Sequence, residues 1–112
     1  MITRTAITIF LMLVASSIQA SSLHGKVIRI ADGDTLTILV NSEQVKIRLA
    51  GIDTPEKAQP FGNKAKQLLT SLTFKKSITI NVKTKDKYGR TVGAITVDRL
   101  DVNAEMVRQG MA

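Results

Sequence analysis

This sequence predicts a small, mainly β domain: a closed or nearly closed barrel of five strands with helices packed against it. Three observations carry that expectation. Apolar residues alternate with polar ones in five short stretches, as in half-buried strands. The period shifts to three or four residues between Phe61 and Phe74, and a short helical stretch follows Asp101. The order is therefore a three-strand meander, a helix, a hairpin and a second helix, which fits an oligonucleotide-binding type of barrel, an α+β fold.

Each element has a local reason. Lys26 to Ala31 alternates, with Val27 or Ile28 facing a core, and Asp32-Gly33-Asp34 turns it. Thr35 to Val40 alternates again, and Asn41-Ser42-Glu43 returns the chain into Gln44 to Ala50, where Val45, Ile47 and Leu49 share one face. Ala65, Leu68, Leu69 and Leu72 form the apolar stripe of the first helix, with Lys64 and Lys66 on or near its polar side. Ser77 to Lys83 and Thr91 to Val97 are the last two strands, joined by the polar loop Asp86-Lys87-Tyr88-Gly89-Arg90, and Asp98 to Asp101 is read as a turn. Val102 to Gln109 is the second helix, with Asn103 expected as its cap and Gly110 as its stop.

Composition narrows the class. The first 20 residues, with Arg4 ahead of an apolar run and a small-residue end at Ala20, read as a secretory signal peptide too short in its apolar part to span a membrane. Residues 21–112 are expected as one domain. Removing Arg4 with the leader leaves fifteen Lys and Arg against nine Asp and Glu, a net charge of +6 that favours polyanionic partners. With no Cys there is no disulfide framework and no thiolate chemistry, and the single His24, taken as a solvated tail residue, cannot form a histidine metal cluster.

The chemistry concentrates in three loops. Asp34 and Asp53 are separated by two meander strands, which returns both to one end of the sheet, where two carboxylates suit a hard cation such as calcium or magnesium. Asp32 reads more simply as turn geometry. Thr54 either lends a backbone carbonyl to such a cation or is only the extended residue before Pro55. Glu56 is placed to act as a general base toward water, or else to put a favourable charge at the first turn of the helix. Arg48 and Arg90 carry the forked guanidinium that matches phosphate oxygens, although either alone is ordinary on a surface. Lys87 and Tyr88 offer a phosphate contact and a stacking ring, in a loop that also reads as common turn material.

Taken together, Asp32-Gly33-Asp34-Thr35, the run from Arg48 through Asp53-Thr54-Pro55-Glu56, and Asp86-Lys87-Tyr88-Gly89-Arg90 resemble the signature of the staphylococcal nuclease family. The resemblance extends from about Lys26 to Ala112. It implies a Ca2+-dependent nuclease on a five-stranded oligonucleotide-binding (OB-fold) barrel, cleaving DNA and RNA to 3′-phosphates; the leader adds export to the periplasm or the medium, and the mature chain is expected to be a monomer. By the same resemblance Asp34, Asp53 and the Thr54 carbonyl are metal-binding, and Glu56 is the proposed base. Arg48 and Arg90 hold the scissile phosphate, and Lys87 and Tyr88 contact the nucleotide. The family domain usually continues into a third helix, which this chain, ending at Ala112, is expected to lack. An inactive nucleic-acid-binding barrel is the alternative reading.

Overall fold

The computed structural model describes residues 21–55 and 59–112. It is built from β1 (Ser22–Asp32), β2 (Thr35–Val40), β3 (Glu43–Leu49), α1 (Gly62–Thr73), β4 (Ser77–Lys85), β5 (Thr91–Val97), β6 (Leu100–Asp101) and α2 (Val102–Arg108). The strands run in the order β3-β2-β1-β4-β5-β6, and a parallel pairing of β3 with β5, Ile47 opposite Thr91 through Leu49 opposite Gly93, closes the first five into a barrel. Closure removes the unpaired strand edges that an open sheet of this size would present.

The strand boundaries follow the alternation closely. β1 is longer than expected because its start pairs with β4, Ser22 opposite Asn81 through Lys26 opposite Ser77. His24 therefore belongs to a strand and not to a tail, and its exposed ring lies 3.1 Å from Thr79 Oγ1. Two bulges in β1, after Val27 and after Ile30, add the local twist that curls the sheet into a barrel. The β2–β3 turn places Asn41 and Ser42 at φ 49° and 70°, the left-handed pair that matches the twist of a two-residue hairpin. Asp98 and Arg99 do the same at φ 47° and 72°, so the stretch read as a turn is a tight hairpin leading into β6.

Isoleucine and leucine dominate the barrel interior, where Leu36, Ile38, Ile47, Leu49, Ile80 and Ile95 are fully buried. Each such side chain contributes roughly 1.5–3 kcal/mol by leaving water. Leu69 and Ala65 of α1 and Val102 and Met106 of α2 complete the same cluster. The described aromatic rings stand outside it, with Phe61, Phe74 and Tyr88 all exposed. That composition frees the aromatics for surface roles.

The C-terminal helix corrects one expectation. Its cap is Asp101, whose Oδ1 accepts from Ala104 N at 3.0 Å, and not Asn103, which is buried in the first turn. The stop is as expected: Gly110 sits at φ 74° while Met111 N donates to Met106 O at 2.9 Å, which satisfies an end-of-helix carbonyl.

Candidate active site

Three connections meet at one end of the barrel: the β1–β2 turn, the segment after β3, and the β4–β5 loop. The first is short because Gly33 lets it be. A methyl group at residue 33 would lie 2.6 Å from Ala65 Cβ of α1 and 3.1 Å from Thr54 Oγ1, so the turn carrying Asp34 packs directly against the helix and the neighbouring loop. Gly33→Ala is expected to cost about 1–3 kcal/mol of stability through that overlap. A urea-unfolding midpoint equal to that of the parent chain would refute the close packing.

The second connection is fixed at both ends of its first residue. Ala50 N donates to Gly93 O at 2.8 Å, and Ala50 O accepts from Asn103 Nδ2 at 2.9 Å. Asn103 also donates to Gly93 O at 3.2 Å, and its Oδ1 accepts from Ile95 N at 3.0 Å. One buried amide thus ties α2, β5 and the start of the acidic segment together. Gly51 then turns the chain at φ 72°, and Ile52 is only 9% exposed, so the segment is anchored in the core immediately before Asp53.

Arg48 is the hub. Its Nη1 donates to Leu49 O at 2.8 Å and Ile52 O at 3.0 Å, which shapes the loop around the guanidinium. Its Nη2 faces two carboxylates, Asp34 Oδ2 at 3.5 Å and Asp53 Oδ1 at 3.8 Å. The two acids differ in freedom. The Asp34 side chain is 14% exposed and accepts from Thr35 Oγ1 at 2.9 Å, whereas that of Asp53 is 98% exposed. Asp34 is the buried, hydrogen-bonded member of the pair, and Asp53 the solvent-exposed one.

Arg90 reaches the same place from the third connection. Its Nη1 donates to Thr35 Oγ1 at 3.5 Å, so Thr35 bridges it to Asp34, while its Nε donates to Asp86 Oδ2 at 2.7 Å. Asp86 also accepts from Tyr88 N at 3.0 Å and Arg90 N at 2.9 Å through Oδ1. Burial alone would push the Asp86 carboxyl up. The main-chain and side-chain bonds from Arg90, the Tyr88 bond and the Arg90 charge outweigh it, and hold the group below its ordinary 3.8.

A depressed folded value means that Asp86 supports this loop above pH 3.8 and ceases to do so as pH falls through the folded value. The chain has one Tyr and no Trp, so its intrinsic fluorescence reports on Tyr88 in this very loop. An acid titration is expected to show a Tyr88 emission step below pH 3.8, absent in Asp86→Asn. The same step in the variant would show that another group releases the loop.

Asp34, Asp53, Arg48, Arg90, Thr54 and Pro55, with Asp32, line one polar recess of about 230 Å³. The three loops therefore converge as expected, and Asp32 joins the site's wall instead of serving the turn alone. Lys87 and Tyr88 line a separate groove of about 510 Å³, bordered by Arg48, Asp53 and Arg90 and floored by Ile52 and Val92. The Tyr88 ring is 72% exposed, with Lys87 Nζ 5.2 Å and Arg90 Cζ 5.5 Å from its centroid. Glu56, the expected base, lies outside the described residues.

The donors present suit a hard cation. Asp34 and Asp53 offer carboxylate oxygens beside Arg48, and the buried Thr54 Oγ1 in the same wall has no hydrogen-bond partner. Among the described residues no group of three or more His, Cys, Asp or Glu forms a metal cluster. A cation here would draw on two carboxylates and on water.

Three contributors were not singled out from sequence: Thr35 as bridge, Asp86 as buttress and Asn103 as tie. Only Asp86 had a local signal, since an Asp followed by Tyr88-Gly89 is the composition of a side-chain-closed turn. The Arg90–Thr35 and Asn103–Ala50 bonds each join residues more than fifty positions apart.

The family model described as staphylococcal nuclease homologue matches residues 46–112. The chain is 42% identical to Protein ParB of Escherichia coli, over 97% of this chain and 66% of that protein. It is 38% identical to a micrococcal nuclease of Shigella flexneri, over 96% and 67%, and 40% identical to an uncharacterized endonuclease of Haemophilus influenzae, over 100% and 65%. The chain spans about two thirds of the length of these relatives.

Proposed function

The chain belongs to the staphylococcal nuclease family, and on that premise we propose that it is an exported, calcium-dependent phosphodiesterase that cleaves DNA and RNA and leaves 3′-phosphates. The observation that carries this reading is the convergence of Arg48 and Arg90 on a recess that also holds Asp34 and Asp53. Two guanidinium groups fit a phosphodiester, and two carboxylates fit a cation beside it.

The residues divide the work. Arg48 and Arg90 bind the scissile phosphate and stabilise the charge that grows on its oxygens as phosphorus becomes five-coordinate. Asp34 and Asp53, with the Thr54 carbonyl, would hold Ca2+, which would supply positive charge to the phosphoryl oxygens. Glu56 orients and deprotonates the attacking water. Lys87 and Tyr88 position the adjoining nucleotide, one by charge and one by stacking. Asp86 and Thr35 keep Arg90 aimed by taking two of its nitrogens, Nε and Nη1, and leave Nη2 for substrate.

Export follows from the leader read at residues 1–20, which lies outside the described residues, and the mature chain is taken as a monomer without stable membrane association. The test is degradation of single-stranded DNA by purified residues 21–112, with calcium and with excess chelator, alongside circular dichroism. Calcium-dependent cleavage is the expected result. Binding without cleavage by a folded sample would overturn the enzyme in favour of a nucleic-acid-binding barrel.

A further inference from the structure

From Lys57 to Lys85 the chain holds seven Lys and no Asp, Glu or Arg. The fold gathers part of that run, together with β1, around the turn Phe74-Lys75-Lys76 between α1 and β4. The turn is clamped in place. Lys75 N donates to Val27 O at 3.0 Å, Val27 N donates to Lys76 O at 2.9 Å, and Lys76 N donates to Thr73 O at 3.0 Å. Lys26 is therefore its neighbour, opposite Ser77 of β4 on one side and Leu39 of β2 on the other. Arg29 and Lys66 approach from α1, where they line a groove of about 300 Å³ with Ile28, Thr70 and Phe74.

Five cations thus surround an exposed aromatic ring. Phe74 is 38% exposed, with Lys75 Nζ 5.6 Å from its centroid, and Leu39 beside Lys26 is 40% exposed. None of the five pairs with a carboxylate among the described residues, in contrast to Arg48 and Arg90. The backbone supplies a second observation. A left-handed residue just past a helix C-cap is usually Gly, yet Lys75 holds that place at φ 63°. Strain kept in position by three hydrogen bonds marks a residue retained for its side chain.

Charge and apolar surface together fit an anionic lipid layer. Lysines attract the phosphate headgroups, and a ring with no hydrogen-bonding atom gains by entering the acyl boundary. Leu39 separates this partner from a soluble polyanion, which offers no apolar phase to an exposed leucine.

We propose that the Phe74-Lys75-Lys76 turn, with Lys26, Arg29 and Lys66, is a docking surface for anionic membrane lipid, on which Phe74 enters the headgroup region and the cations bind lipid phosphates. Attachment is peripheral and reversed by salt, in keeping with a mature chain that has no stable anchor. The turn lies at the opposite end of α1 from Ala65, which packs against Gly33 of the candidate site. The helical rise from Ala65 to Thr73 is about 12 Å, so the recess stays outside the layer that the ring enters. The inference goes beyond the phosphodiesterase reading and does not depend on it.

The test is flotation of the full mature chain, freed of nucleic acid and with chelator present, on phosphatidylcholine vesicles containing about 30% phosphatidylglycerol at about 0.1 M salt. Binding is expected on these vesicles, and neither on pure phosphatidylcholine nor at about 1 M salt, where screening shortens to about 3 Å. Lys75→Gly, which the left-handed turn accepts without strain, should lower the partition coefficient about fivefold while keeping the urea midpoint at or above that of the parent. Adding Lys76→Gln should make the loss about 25-fold, and Phe74→Ser alone should cost about tenfold. Lys83→Gln with Lys85→Gln, toward the far end of β4, removes the same charge and should change partition by less than about twofold. Equal losses in the two double variants would overturn the surface, because net charge alone would then carry the binding. Turn variants that keep their vesicle binding but lose affinity for oligothymidylate or heparin would assign the turn to a soluble polyanion and overturn it too. A folded parent chain that stays off the anionic vesicles would overturn it outright.

Discussion

Arg90→Lys is expected to lower kcat for single-stranded DNA by about 10²–10³-fold while changing affinity only a few-fold. The reason is geometric. The Arg90 guanidinium spends Nε on Asp86 at 2.7 Å and Nη1 on Thr35 at 3.5 Å, and still has a nitrogen to offer a phosphate oxygen. A lysine keeps the charge but has a single nitrogen on a flexible stem. It must choose between the buttress and the substrate, and its charge cannot follow the oxygens into the five-coordinate geometry. Steady-state kinetics with a parallel binding measurement check this. Equal losses in kcat and affinity would mean that Arg90 binds the ground state as strongly as the transition state, and would remove it from the catalytic role.

Asn103→Leu is expected to cost about 3 kcal/mol, a large part of the 5–15 kcal/mol that holds a domain folded. Leucine fills similar space but leaves Ile95 N and Ala50 O without the partners that Asn103 provides, while Gly93 O keeps its bond from Ala50 N. Ala50 begins the segment that carries Asp53, so the variant should also lose activity below its melting temperature. Asn103→Asp is a useful companion, because it keeps an acceptor for Ile95 N and loses the donor to Ala50 O. Urea unfolding and activity under folded conditions separate the two effects. A stability change under about 0.5 kcal/mol would show that the buried amide is not the tie described, since ordinary surface changes fall in that range.

Much of the molecule was legible along the chain. Period-two alternation marked Thr35 to Val40 and Thr91 to Val97 to the residue, and the stripe of Ala65, Leu68, Leu69 and Leu72 marked α1. The crowding of Asp34, Arg48, Asp53 and Arg90 into three loops marked the recess, because charges in turns at one end of a meander have few other places to go. Asn103 was misread because an Asn at a helix start usually caps it, and the preceding Asp101 took that task. His24 was misread because nothing nearby in sequence announces Ser77–Lys85 as the partner strand.

What the sequence by itself determined was each element's type, the face it buries and the three clusters of charge, since these depend on neighbours within a few residues. Tertiary structure alone decided the parallel β3–β5 closure, the bridge from Arg90 through Thr35 to Asp34, the reach of Asn103 to Ala50 and the clamping of the Phe74-Lys75-Lys76 turn to Val27. Each of these joins or aligns groups from different elements, several of them some fifty residues apart. Periodicity carries no information about such pairs, because which strands meet and in what register is settled by the global competition to bury Ile47, Leu49 and Ile95 together.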